Sequence, residues 1–144
     1  SYLAELSYWH NFKDIESDYA LNTVLYYPFL SLTHEQRIFL GLAIYTACGG
    51  KANNSNFIKY SKLLKKDAIN AAGILGYSIK LTYLVSGGLY RNLSDYSLQV
   101  SNNEIFLITS NKKIIKTSTK IKRTLKKLSK LIKIKKIKLV SSDA

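Results

Sequence analysis

A chain of 144 residues, 47% of them hydrophobic, is long enough to bury one sizeable core, or a core with a small appendage. Its single cysteine, Cys48, excludes an intrachain disulfide and suits a reducing cytoplasm. The net charge of +13 belongs to the tail: residues 111–144 hold 13 Lys and Arg against 1 acidic residue, whereas residues 1–110 hold 9 against 8.

Tyr2–Trp9 reads as the end of a helix, with Leu3 and Leu6 three apart. After the polar connector "HNFKDIES", Asp18 or Ser17 is placed to cap a helix with Ala20, Leu21, Val24 and Leu25 on one side, stopped before Pro28. "THEQ" is a capping box, with Thr33 as N-cap and Gln36 three residues on. The run that follows, "RIFLGLAIYTA", is apolar nearly all round and predicts a buried central helix ended by Gly49-Gly50. Phe57–Leu64 predicts a shorter helix, and Lys66–Ser86 a long one ended by Gly87-Gly88. Ala68, Ala71, Ala72, Gly73 and Gly76 give the long helix a small-residue face on which a neighbour can lie closely, offsetting the cost of about 1 kcal/mol for glycine in a helix.

Beyond residue 95 the period changes. "SLQV" and "EIFLI" flank "SNN" and predict a β-hairpin, with Leu98 and Val100 alternating in one arm and Ile105 and Leu107 in the other. Ile114, Ile121, Leu125, Leu128 and Ile132 predict an amphipathic helix over about residues 115–133, and "IKIKKIKLV" an edge strand using Ile132, Ile134, Ile137 and Leu139. The fold class is α+β, mainly α: a helical domain of about five helices over residues 1–93, then a small basic β-β-α-β unit over 94–144.

Enzymatic constellations are scarce. His10 and His34 lie apart, and a metal site needs three or four convergent ligands. His34 reads as the first residue of a capped helix, His10 as a connector residue, and Cys48 as a small core residue. No phosphate-binding loop, nucleophile elbow or paired-cysteine motif appears. The longest uncharged stretches, Ile38–Gly50 and Ala68–Ile79, fall short of the roughly 20 residues of a membrane span. The chain opens without a leader pattern and contains no methionine, which suits an excised fragment or a processed chain.

The string "SYLAELSYWHNFKDIESDYALNTVLYYPFLSLTHEQRIFLGLAIY", followed by "LGYSIKLTYLVSGG", resembles the C-terminal region of the exopolyphosphatase / guanosine pentaphosphate phosphohydrolase family, in its alphaproteobacterial type. The likeness rests on Trp9, on "ALN" at Ala20–Asn22, on the "THEQRIFLGLAIY" helix and on "LG...KLTYLVS", and it covers about residues 1–93. It implies an HD-like helical domain that follows an actin-like catalytic half, the latter using a divalent cation such as magnesium. It also implies that Glu5-Leu6 stand where HD phosphohydrolases carry a metal-binding pair, so the scaffold here has no metal ligands and no catalytic residues of its own.

Within that frame the expected role is non-catalytic: binding the polyphosphate chain, and packing against the catalytic half or a second subunit. Lys112, Lys113, Lys120, Arg123, Lys127 and Lys130 are the candidate anion-binding residues, because a strip of cations gains affinity by releasing condensed counterions. The same strip predicts nucleic-acid binding through phosphates alone as the alternative, since the helix carries no Asn, Gln or clustered Arg to read base edges. Membrane attachment is disfavoured because the apolar face is Ile and Leu without Trp or Phe. The lysine enrichment of an AT-rich genome would produce a similar tail with no ligand at all.

Overall fold

The computed structural model describes residues 15–29, 31–88, 94–101, 103–109, 119–134 and 136–141. The elements are α1 (Ile15–Tyr26), α2 (His34–Ala47), α3 (Ser55–Ser61), α4 (Lys66–Ser86), β1 (Tyr96–Ser101), β2 (Glu104–Thr109), α5 (Thr119–Leu131) and β3 (Lys136–Ser141). The fold is α+β and mainly helical, with one small three-stranded sheet. The chain divides into two compact units with the boundary between Gly76 and Tyr77, inside α4. The expected helix at Tyr2–Trp9, together with Glu5, Leu6 and His10, lies outside the described residues.

In the first unit, Leu21, Leu42, Ala43, Tyr45 and Ala72 form the core, and Leu25, Ile38, Phe39, Phe57, Tyr60 and Leu64 pack around them. The helix α1 begins earlier than the sequence suggests. Ser17 is buried in its first turn rather than capping it, and Glu16 and Asp18 stand where the helix dipole favours negative charge. Its apolar side is as expected, with Ala20, Leu21 and Val24 buried, and it stops at Tyr26, ahead of Pro28. Arg37 of α2 donates to the carbonyl oxygens of Phe29 (2.9 Å) and Leu25 (3.4 Å), so a side chain satisfies carbonyl groups at the end of α1 and just beyond it.

The capping box of α2 is present in full. Thr33 Oγ1 accepts from the Gln36 N–H, and Gln36 Oε1 accepts from the Thr33 N–H at 2.9 Å. His34 is the first, exposed residue of that helix, and Cys48 is its half-buried C-cap rather than a core residue. Gly49 turns left-handed (φ 96°), and the N–H groups of Gly49 and Gly50 close onto Thr46 and Tyr45.

α3 starts two residues before the expected position, with Asn54 as its cap, and ends at Ser61. The small-residue face of α4 is narrower than the spacing implies: Ala72 and Gly76 are buried while Ala71 is exposed. The close approach is at Gly76, where a Cβ would lie 2.5 Å from the Ala43 carbonyl oxygen and 2.6 Å from the Thr46 Cβ. By length and composition α4 is apolar enough to cross a membrane, the one such helix among the described residues, yet it carries Lys80 mid-span and buries Ala72, Leu81 and Val85.

The second unit holds the C-terminal part of α4 from Tyr77 on, so it starts earlier than the expected 94–144 appendage, and then a β-β-α-β arrangement with strand order β1-β2-β3, β1 antiparallel and β3 parallel to β2. Ser101 pairs with Glu104 across a two-residue loop in which Asn103 takes φ 61°, as a tight hairpin asks. Leu98 and Val100 face the same side as their partners Leu107 and Ile105. The two β2 residues are buried, but Leu98 and Val100 are 42% and 59% exposed, since β1 is the edge far from β3, where α5 makes its contacts.

Two boundaries in the tail differ from the sequence reading. The helix α5 is shorter, and Ile114 lies outside the described residues. Ile132 and Ile134 belong to the helix end rather than to the strand, because the Ile134 N–H closes onto Ser129 and the Lys133 N–H onto Lys130. Lys133 is left-handed (φ 59°), in the place usually held by glycine.

Candidate anion-binding surface

The surface follows from the composition of α5. Ile121, Leu125 and Leu128 recur every three or four residues and are buried, with Thr124 and Ser129 beside them. Every other position from Lys120 to Lys130 is a lysine or arginine and is exposed: Lys120, Lys122, Arg123, Lys126, Lys127 and Lys130. Burial of one stripe thus forces the cations into two rows that run along the helix and converge on Lys130.

The first row is Lys120, Arg123, Lys127 and Lys130, four of the six residues expected to bind an anion; at 1.5 Å per residue it runs roughly 15 Å. Lys112 and Lys113, the other two, lie outside the described residues. Within the row, Lys127 Nζ stands 5.5 Å from the centroid of the Tyr77 ring, a cation–π contact that restrains its position. The second row is Lys122, Lys126, Lys130 and Lys133, which borders an open groove of about 720 Å³ beside β3. Ile134 and Ile137 are its half-buried floor, with Leu125 fully buried beneath. Lys122, Lys126 and Lys133 were not singled out from the sequence, although their spacing of four and seven is legible there. What no local pattern records is the packing that sets Ile137 of β3 beside this row.

The lysines of β3 differ in kind. Glu104 on β2 pairs with Lys138 at 2.6 Å and with Lys136 at 3.6 Å, and Lys138 also lies 5.5 Å from the Phe106 ring centroid. The hydrogen-bonded Lys138 ammonium, helped by Lys136, holds the Glu104 carboxyl below its usual range. No such neutralising partner stands beside the helix: among the described residues, none of its cations lies within ion-pair distance of a carboxylate. The first turn of α5 has no acidic residue either, so Lys120 and Lys122 oppose the helix dipole rather than complement it.

For catalysis the inventory is thin. Among the described residues, no group of three or more His, Cys, Asp or Glu side chains is placed to hold a metal ion. Comparison with models of known protein families gave no match, and comparison with curated proteins gave none either.

Proposed function

We propose that the chain is the non-catalytic C-terminal part of an exopolyphosphatase-like hydrolase, and that the row Lys120, Arg123, Lys127 and Lys130 binds the polyphosphate chain. The observation that carries this reading is the row itself: four exposed cations on one side of a helix, without a carboxylate partner among the described residues. Holding like charges side by side on a surface costs free energy unless a counter-charge is gained, and a linear polyanion supplies one charge per unit along the row. Lysine suits this task because a uniform chain calls for point charges rather than a bidentate fork. In this reading the chemistry and any magnesium belong to a catalytic half upstream. The helical unit packs against that half or against a second subunit, and the protein works in the cytoplasm.

The test is binding of the chain to labelled polyphosphate at about 50 and 200 mM salt, in competition with double-stranded DNA at equal phosphate. Preference for polyphosphate that persists at the higher salt, and is lost in Lys120→Ala/Arg123→Ala/Lys127→Ala, is the expected result. Equal binding of both polymers, erased by salt, would leave a basic surface without a specific ligand.

A further inference from the structure

Polyphosphate has no apolar part, and so leaves the groove beside the second row unexplained. We propose that this groove is a docking site for an acidic amphipathic α-helix of a partner protein. Lys122, Lys126, Lys130 and Lys133 line it together with the half-buried Ile134 and Ile137, so cations and an aliphatic floor share one groove.

The complementarity is one of charge and of pitch. Lys122, Lys126 and Lys130 repeat every four residues, about 6 Å along α5. Carboxylates four residues apart on a neighbouring helix repeat at the same interval, so rows laid side by side stay in register over three pairs. The same partner helix turns its apolar stripe to the floor, the mode in which amphipathic helices dock in grooves. The lysine stems add apolar wall while their heads stay in water.

Other polyanions fit less well. Among the described residues the lining contains no aromatic ring, which removes the stacking platform that single-stranded nucleic acid uses. A bilayer surface is flat, and the apolar face of α5 that would enter it is already buried as Ile121, Leu125 and Leu128.

The experiment measures binding of the whole chain, by fluorescence anisotropy, to a peptide of about 15 residues with leucine on one face and glutamate flanking it at four-residue spacing. A scrambled isomer of the same composition serves as the comparison. The expected result is binding at least roughly tenfold tighter than to the scrambled isomer, with that margin lost in Lys122→Glu/Lys126→Glu and kept in Lys120→Glu/Arg123→Glu. The two variants change the net charge equally, so only position distinguishes them. Lys122→Gln/Lys126→Gln gives a partial loss and stands in if the charge reversal disturbs the helical circular dichroism.

Equal binding of the two peptides overturns the proposal. So does equal loss in both rows, or an effect of the Lys122/Lys126 changes only on polyphosphate, single-stranded DNA or anionic vesicles. Failure of polyphosphate binding with intact peptide binding would instead overturn the reading of the first row alone.

Discussion

Lys133 and Glu104 show what single residues contribute to the tail. At φ 59°, Lys133 occupies a region that costs an L-residue with a side chain roughly 1 kcal/mol, and the hydrogen bonds of Lys133 and Ile134 back into α5 hold it there. Lys133→Gly is therefore expected to raise stability by about 0.5–1 kcal/mol in chemical denaturation, even though it removes one cation from the groove. Glu104 is the charge counterpart. Because its folded pKa lies below the usual value of 4.5, its pairing with Lys138 and Lys136 favours the folded state above that value. That contribution disappears as pH falls through the depressed folded pKa. An NMR titration of the Glu104 side chain is expected to find the low value, and Lys138→Met to move it back up. A titration unmoved by Lys138→Met would show that the ion pair is not formed in solution.

At the scale of elements, α4 and α5 are set by opposite means. The position of α4 is fixed by a lack of side chain: Gly76 admits the Ala43 carbonyl oxygen and the Thr46 side chain of α2. Gly76→Ala adds helix propensity worth about 1 kcal/mol, yet its Cβ would fall at 2.5 Å from a carbonyl oxygen. Overpacking of that kind costs about 1–3 kcal/mol, so a net loss is expected in urea unfolding, and a gain would mean that the two helices are further apart. α5, by contrast, is placed by its one apolar stripe, Ile121, Leu125 and Leu128. Its periodicity was plain in the sequence, and its end was not. Ile132 and Ile134 continue both a helical and an alternating pattern, and only the hydrogen bonds of Lys133 and Ile134 assign them to the helix end.

Across the whole molecule, the lysines of the tail fall into two classes. The β3 lysines Lys136 and Lys138 share the Glu104 carboxylate, while the α5 cations have no such partner among the described residues. If a polyanion binds as proposed, it exchanges its condensed counterions mainly for the helix, and the salt dependence should count those residues. Neutralising three cations of the proposed row in Lys120→Ala/Arg123→Ala/Lys127→Ala is expected to lessen the slope of log K against log salt by about 2. An unchanged slope would move the polyanion off this row.

The α+β class, the capping box at Thr33, the glycine stops after Ala47 and Ser86 and the basic character of the tail were all determined by the sequence alone. Each depends on residues within a turn or two of one another, where composition and spacing act directly on the backbone. The partners of those elements were decided by the tertiary structure: Gly76 against α2, Glu104 against two lysines of β3, and the groove whose lysines come from α5 and the turn after it and whose floor adds Ile137 of β3. These depend on residues distant in the chain, and burial of a shared apolar face brings them together, which no local pattern records.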